Sequence, residues 1–326
     1  MKHFLAAMIL SGLFLQAALA AEKTQAPSQV VLTVEVVNGT VNGDPVTGDE
    51  VIVQVYERGE LLRTLEGKVA ADGKAVFESV PAGDKIVALA RSKHNDMMFT
   101  GSPVALKPTE DEHLARVQVF DASNDTSGLS VQTHHLIIKS ASDALAFTEY
   151  MQLVNPSNMA VSSNREDAEG RAIVLEIKLP RGFKDLKALG YFEEDALVVT
   201  NEGFYDTMAV PPGEHQVTFT YSLDITSNTV DIVKGITLPT SKFVVFAELG
   251  PAKLQGLGEP DNRAAAPNGA QIEYYTRDKL APGEEIAFKI TGFNVNNSGS
   301  ATWVILAAVF GAVMVLAALR MRSNKG

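Results

Sequence analysis

The 326-residue chain contains no cysteine. Thiolate catalysis, disulfide frameworks, iron–sulfur clusters and Cys-based zinc modules are therefore excluded. Basic residues are scarce, with 28 Lys and Arg against 39 Asp and Glu, giving a net charge of −11 and a pI near 5.1. That balance excludes nucleic acid as a partner, because phosphate neutralisation needs clustered cations. His-Glu-x-x-His, Gly-x-Ser-x-Gly, Ser-x-x-Lys and glycine-rich phosphate loops are all missing. The common metallopeptidase, hydrolase and nucleotide-binding signatures thus have no foothold. Long apolar runs occur only at the two ends.

The first twenty residues, MKHFLAAMILSGLFLQAALA, carry a basic Lys2 and an apolar stretch from Phe4 to Leu15, then a small-x-small signal at Ala18-Leu19-Ala20. This is the pattern of a cleaved secretory signal, 1–20, with the mature chain starting at Ala21. At the other end, Ala301–Leu319 is nineteen residues without a charge, enough for one membrane-spanning helix. Arg320, Arg322 and Lys325 follow it, and the positive-inside rule puts the 320–326 tail in the cytoplasm. Small residues four apart, Ala307 and Gly311, offer a helix–helix contact and hence a homo-oligomer. The exported body keeps 24 basic residues against all 39 acids, a charge of −15. Such a surface suits a domain that stands off anionic lipid.

Between the ends, apolar residues alternate with polar ones at a period of two. Val30–Val37, Val51–Tyr56, Leu61–Val69, Ala75–Phe77, Lys85–Ala90 and Leu114–Phe120 read as strands. Asn38-Gly39, Arg58-Gly59, Asp72-Gly73 and Pro81-Ala82-Gly83 punctuate them. Short β-branched runs with such breaks predict an all-β sandwich. Within this stretch, Asp72-Gly73, Phe77 and Pro81-Ala82-Gly83, running into Ile86–Ala90, resemble the core of the carboxypeptidase regulatory-like domain, a transthyretin-like β-sandwich. The resemblance covers roughly 29–121 and implies a noncatalytic accessory module.

Residues 122–128 read as a linker after a polar leader (21–28) and the first domain. Asp121, Ser123 and Asp125 alternate as calcium ligands do, but no closing bidentate acid follows, so a plain linker is expected. A second immunoglobulin-like sandwich is expected over 129–293, with Glu259–Gly269 as a surface loop and 294–300 as a stalk. Strands there are Ser130–Lys139, Ala144–Val154, Ala172–Leu179, Ala196–Val199 and Gln216–Tyr221, then Val230–Leu238, Phe243–Glu248, Ala270–Tyr275 and Glu285–Ile290.

Candidate chemistry is sparse. His94-Asn95-Asp96-Met97-Met98 mixes imidazole, carboxylate and thioether in a predicted turn, a copper-like set, with His94, Met97 and Met98 as the candidate ligands, that needs partners from elsewhere. Adjacent His134 and His135 on a strand point to opposite faces, so one packs inward and the other is exposed. Glu110-Asp111-Glu112 and Glu193-Glu194-Asp195 are acid clusters expected at the solvated surface. No cofactor, metal or catalytic residue is expected. The reading is a noncatalytic protein of the bacterial inner membrane, single-pass, with its body outside the cytoplasm and binding an envelope protein partner. A metal- or carbohydrate-binding carrier is the alternative, and a hydrolase built from distant acids a third.

Overall fold

The computed structural model describes residues 28–141, 143–266 and 269–293. The signal segment 1–20, most of the leader, the stalk, Ala301–Leu319 and the basic tail lie outside the described residues. Among the described residues no helix is long and apolar enough to cross a membrane. These residues are all-β, their helical content limited to two short 3₁₀ turns.

The first half contains β1 (Ser28–Asn38), β2 (Glu50–Glu57), β3 (Glu60–Lys68), β4 (Lys74–Ala82), β5 (Ile86–His94), β6 (Met97–Thr100), β7 (Val104–Ala105) and β8 (Glu112–Val119). One sheet runs β4-β1-β8, the other β3-β2-β5-β6 with β7 also on β5. The strict alternation of β1 explains why it sits centrally. Leu32, Val34 and Val36 turn inward, all at 2% exposure or less, and meet Val51, Val53 and Val55 of β2 across one core. Phe77 and Val80 fill the same core, as the turn-rich Asp72–Gly83 stretch requires. This is the layered arrangement of a β-sandwich.

The second half adds β9 (Ala122–Ser123), β10 (Ser130–Ser140), β11 (Ala144–Asn155), β12 (Ala160–Val161), β13 (Leu175–Lys178), β14 (Lys184–Leu189), β15 (Leu197–Thr200) and β16 (Gly203–Asp206). It continues with β17 (Gly213–Asp224), β18 (Thr229–Gly235), β19 (Thr240–Glu248), β20 (Lys253–Gln255), β21 (Asn262–Ala265), β22 (Gln271–Leu280) and β23 (Glu285–Thr291). A seven-stranded sheet, β14-β17-β11-β10-β19-β22-β21, shares a single apolar core with two three-stranded sheets, β13-β16-β15 and β18-β23-β20. Gly203 opens β16 at φ +145°, where a Cβ would lie 2.0 Å from the Ile177 carbonyl oxygen, so the β13–β16 approach requires glycine.

Three sequence expectations are corrected. His94 is the last residue of β5, not part of a turn, because β5 continues four residues beyond Ala90 to pair with β6. The 259–269 segment contains β21, which extends the large sheet by pairing with β22. The 122–128 stretch is no free linker. Its β9 pairs in parallel with β12, and Ala160 of β12, fully buried, packs into the first core. The short Thr126–Gly128 turn that follows is capped by the Asp125 side chain.

Candidate functional site

Two clusters of ionisable side chains stand out. The first lies inside the large sheet. His134 and Glu149 occupy inward positions of β10 and β11, where Glu149 is opposite Leu136 and His134 opposite Met151, so the two meet diagonally. His134 Nε2 donates to Glu149 Oε2 at 2.6 Å. Tyr221 of β17 donates its hydroxyl to Glu149 Oε1 at 2.8 Å. From the facing sheet, Lys234 of β18 brings Nζ to 2.8 Å from Oε2 and 3.0 Å from Oε1, and to 2.7 Å from the Lys178 carbonyl oxygen. Glu149 and Lys234 are 0% and 1% exposed.

Each member's electrostatics follows from this closure. Burial alone drives the Glu149 carboxyl upward, but the Lys234 charge and the His134 and Lys234 hydrogen bonds reverse it, to about 2. Burial pushes the His134 imidazole down, against the raising effect of the Glu149 carboxylate it donates to. Burial and the adjacent Glu149 charge push the Tyr221 hydroxyl well up. The cavity beside the cluster, lined by His134, Lys178, Lys234 and Thr240, measures about 20 Å³, room for one water molecule. The buried ion pair and its hydrogen bonds tie the two facing sheets together.

The second cluster lies where the halves meet. His94, 2% exposed, places Nδ1 2.7 Å from Asp49 Oδ2 and Nε2 3.0 Å from Asp121 Oδ1. Asn38 Nδ2 donates to the same Asp121 oxygen at 2.7 Å, and the Asp44 amide donates to Asp121 Oδ2 at 3.1 Å. Asp121 in turn touches the second half through its backbone: its carbonyl accepts from the Ala160 amide at 2.9 Å. Its amide donates to Thr40 Oγ1, which donates to the Asn158 carbonyl at 3.1 Å. A further contact runs from Arg91 of β5 to Glu193 at 3.1 Å, with Thr100 Oγ1 donating to Glu193 at 3.0 Å.

The residues singled out in the sequence are distributed unevenly over these clusters. His94 belongs to the second, with both ring nitrogens held by carboxylates. Met97 packs against the first core, and Met98 lies opposite Lys93 in the β5–β6 ladder. Asp121, Ser123 and Asp125 do not converge: Asp121 bonds His94, while Ser123 Oγ accepts from the Asp125 amide and Asp125 Oδ1 from the Ser127 amide. Among the described residues no group of three or more His, Asp or Glu is placed to hold a metal ion. His134 faces inward as one of the pair must, but His135 is half-buried, its ring 5.0 Å from Phe246 and 5.8 Å from Tyr150. Its Nδ1 is buried without a hydrogen-bond partner. Glu193, expected at the solvated surface, bridges the two halves.

Lys234, Glu149 and Tyr221 were not legible as a group, because 85 residues separate the ion pair in the chain. The available signal was parity: Glu149 shares a face with Leu145, Phe147, Met151 and Leu153 of β11.

No protein-family model and no curated protein matches the chain. Among solved structures it is similar to an M1 zinc metallopeptidase of Deinococcus radiodurans, at 13% identity over 50% of this chain and 42% of that one, TM-score 0.32. It is also similar to the major pilin SpaD of Corynebacterium diphtheriae, at 12% identity over 81% and 80% of the two chains, TM-score 0.22. The minor pilin GBS52 of Streptococcus agalactiae gives 12% identity over 58% and 90%, TM-score 0.23. The chain spans less than half of the metallopeptidase. Likenesses this weak carry neither fold nor function across, and the architecture stands on the strand pairing of the chain itself.

Proposed function

We propose that this is a noncatalytic protein of the bacterial cell envelope, exported by its N-terminal segment and anchored in the inner membrane through Ala301–Leu319. Its tandem immunoglobulin-like and transthyretin-like sandwiches bind partner proteins, as an accessory subunit of an envelope complex. The observation that carries the noncatalytic reading is the closure of both ionisable clusters. Both Glu149 carboxylate oxygens accept from His134, Tyr221 and Lys234, and the adjoining cavity has room for only a single water. Strand edges and loops are then the surfaces left for recognition. The −15 charge of the body favours partners with basic faces.

The test is crosslinking of the tagged, full-length protein in its native host, followed by mass spectrometry of what copurifies. One envelope complex recovered reproducibly is the expected result. Recovery of nothing beyond the protein itself overturns the reading.

Carbohydrate binding is a second reading with one observation in its favour. Tyr150, His135, Phe246 and Tyr274 form a run of ring contacts, 5.8, 5.0 and 5.0 Å between centroids, across four adjacent strands on the face turned away from the core. Glycan binding lost in Tyr274→Ala would favour it.

A further inference from the structure

The sequence contains three Asn-Gly pairs, Asn38-Gly39, Asn42-Gly43 and Asn268-Gly269, and the asparagine of the third lies outside the described residues. The first two share their flanks, Val37-Asn38-Gly39 and Val41-Asn42-Gly43, so any difference between them comes from the fold. We propose that Asn42 is a site of spontaneous covalent modification, converting to aspartate and isoaspartate, while the fold holds Asn38 against the same reaction. This is independent of the partner-binding reading. Glycine favours the reaction because it has no Cβ to shield its amide or restrict its approach. Hydroxide takes the Gly43 amide proton, and the nitrogen attacks Cγ of Asn42. A cyclic succinimide closes as the side-chain nitrogen leaves as ammonia. Water then opens the ring at either carbonyl. One opening gives aspartate, the other an isoaspartate whose main chain runs through Cβ and Cγ.

Asn38 ends β1 with its carboxamide held at both atoms. Its Nδ2 donates to Asp121 Oδ1 at 2.7 Å and to the Asp44 carbonyl at 2.9 Å, and its Oδ1 accepts from the Thr40 amide at 2.9 Å. The Gly39 amide, which would attack, donates to the Val119 carbonyl at 2.8 Å. Gly39 is also wedged in place: a Cβ there would lie 2.4 Å from side-chain atoms of Gln118 and Phe120. Turning the Asn38 carboxamide onto that nitrogen requires breaking all these bonds together. Asn42 is different. It lies in an exposed turn at φ +57°, beside Val41, which is 70% exposed. Among the described residues nothing bonds its side chain. The Gly43 amide donates to the Thr40 carbonyl at 3.0 Å, the closing bond of that same turn. A surface turn closed by its own bond opens locally at little cost.

The conversion bears on the joint between the two halves. Gly43 packs against two of its residues: a Cβ on Gly43 would lie 2.5 Å from Asn38 Nδ2 and 2.9 Å from Asp121 Oδ2. The next amide, that of Asp44, donates to Asp121 Oδ2 at 3.1 Å. Isoaspartate at position 42 lengthens the main chain by a methylene just before this close seat. Gly43 and Asp44 then cannot both keep their places against Asp121, whose carbonyl accepts the Ala160 amide of the second half. Aspartate at position 42 leaves the main chain unaltered and adds only a charge.

Peptide mass spectrometry of the full-length protein, held at mildly alkaline pH and sampled over days, tests this. Fragment ions separate residue 38 from residue 42. The readout is the mass gained when a carboxamide becomes a carboxylate, with isoaspartate counted by methyl transfer from an isoaspartyl methyltransferase. In the folded protein, conversion at Asn42 is expected to be about tenfold or more faster than at Asn38, which must first lose its bonds. In denaturant neither side chain is held, the flanks are the same, and the two rates are expected to converge. Equal rates at the two asparagines in the folded protein overturn the proposal. So does an Asn42 that keeps its amide under conditions where the denatured chain loses it. A preference for Asn42 that persists undiminished in denaturant also overturns it, because the fold is then not its cause.

Discussion

Glu149 and Lys234 meet 2.8 Å apart in the interior of the second half, each with at most 1% of its side chain exposed. Two ions at that depth have lost nearly all their hydration, and only their mutual attraction and the bonds from His134, Tyr221 and the Lys178 carbonyl compensate. Removing one partner therefore costs far more than the pair is worth. Lys234→Met is expected to destabilise the protein by about 3–5 kcal/mol, since it strands a carboxylate in apolar surroundings. The double variant Glu149→Gln with Lys234→Met leaves no bare charge and is expected to lose less than the single one. Chemical denaturation of the wild type, Glu149→Gln, Lys234→Met and the double variant decides it; a double variant as unstable as the sum of its parts would refute the account. Because the Glu149 carboxyl is depressed to about 2, the pair's contribution is complete above its unfolded value near 4.5 and fades as pH falls toward 2.

His135 responds to acid from the other direction. Burial, aided by the nearby His134 and Lys242, lowers its imidazole to about 4. The unfolded chain, with an ordinary value near 6.5, then binds the proton more readily between those limits. Stability is complete above about pH 6.5 and declines toward pH 4, by up to about 3 kcal/mol. His135→Phe removes that slope and the unpartnered Nδ1 together. Thermal melts of this variant should be flatter between pH 6.5 and 4 than wild type, with a higher Tm at pH 5. A variant melting with the parental slope would assign the acid sensitivity to another group.

Asp206, at the end of β16, is 2% exposed, and burial, with Glu193 nearby, raises its carboxyl to about 6 despite hydrogen bonds from the Thr207 and Met208 amides. A raised carboxyl means the folded form holds the proton more tightly, so stability falls as pH climbs from about 4 through 6. Asp206→Asn keeps the oxygen that accepts from Met208. It is expected to gain about 1–3 kcal/mol at pH 7.5 and nothing at pH 4. Equal effects at both pH values would rule out a charge origin.

What could be read in the sequence follows a physical divide. Strands with strict alternation were legible, β2 and β10 nearly to the residue, because period-two burial is written locally. Short strands such as β14, β16 and β21 were not, since their burial depends on the neighbours they pair with. His94 was legible as an unusual residue but not as a joint residue. Its two carboxylate partners lie 45 positions before it and 27 after it, and nothing local ties them together. The acid run Glu193-Glu194-Asp195 misled for the same reason. Contacts with Arg91 and Thr100, both distant in the chain, distinguish Glu193 from its two neighbours.

That Arg91–Glu193 contact supplies the last expectation. Both side chains are about a fifth to a quarter exposed, so the ion pair contributes at most about 1 kcal/mol to stability. Its geometric role is larger. Glu193 receives Arg91 and Thr100 from β5 and β6, on strands that also carry or adjoin His94. It thus pins the joint at a point separate from the β9–β12 pair. Glu193→Ala is expected to leave the Tm within a few degrees of wild type while broadening the distribution of angles between the halves. The absence of cysteine makes the measurement direct: Lys68→Cys and Lys187→Cys, one exposed site in each half, accept spin labels with no background. A distance distribution that widens in Glu193→Ala, with its mean displaced little, is the expected outcome. An unchanged width would mean that the β9–β12 pair and the Asp121 contacts alone set the geometry of the joint.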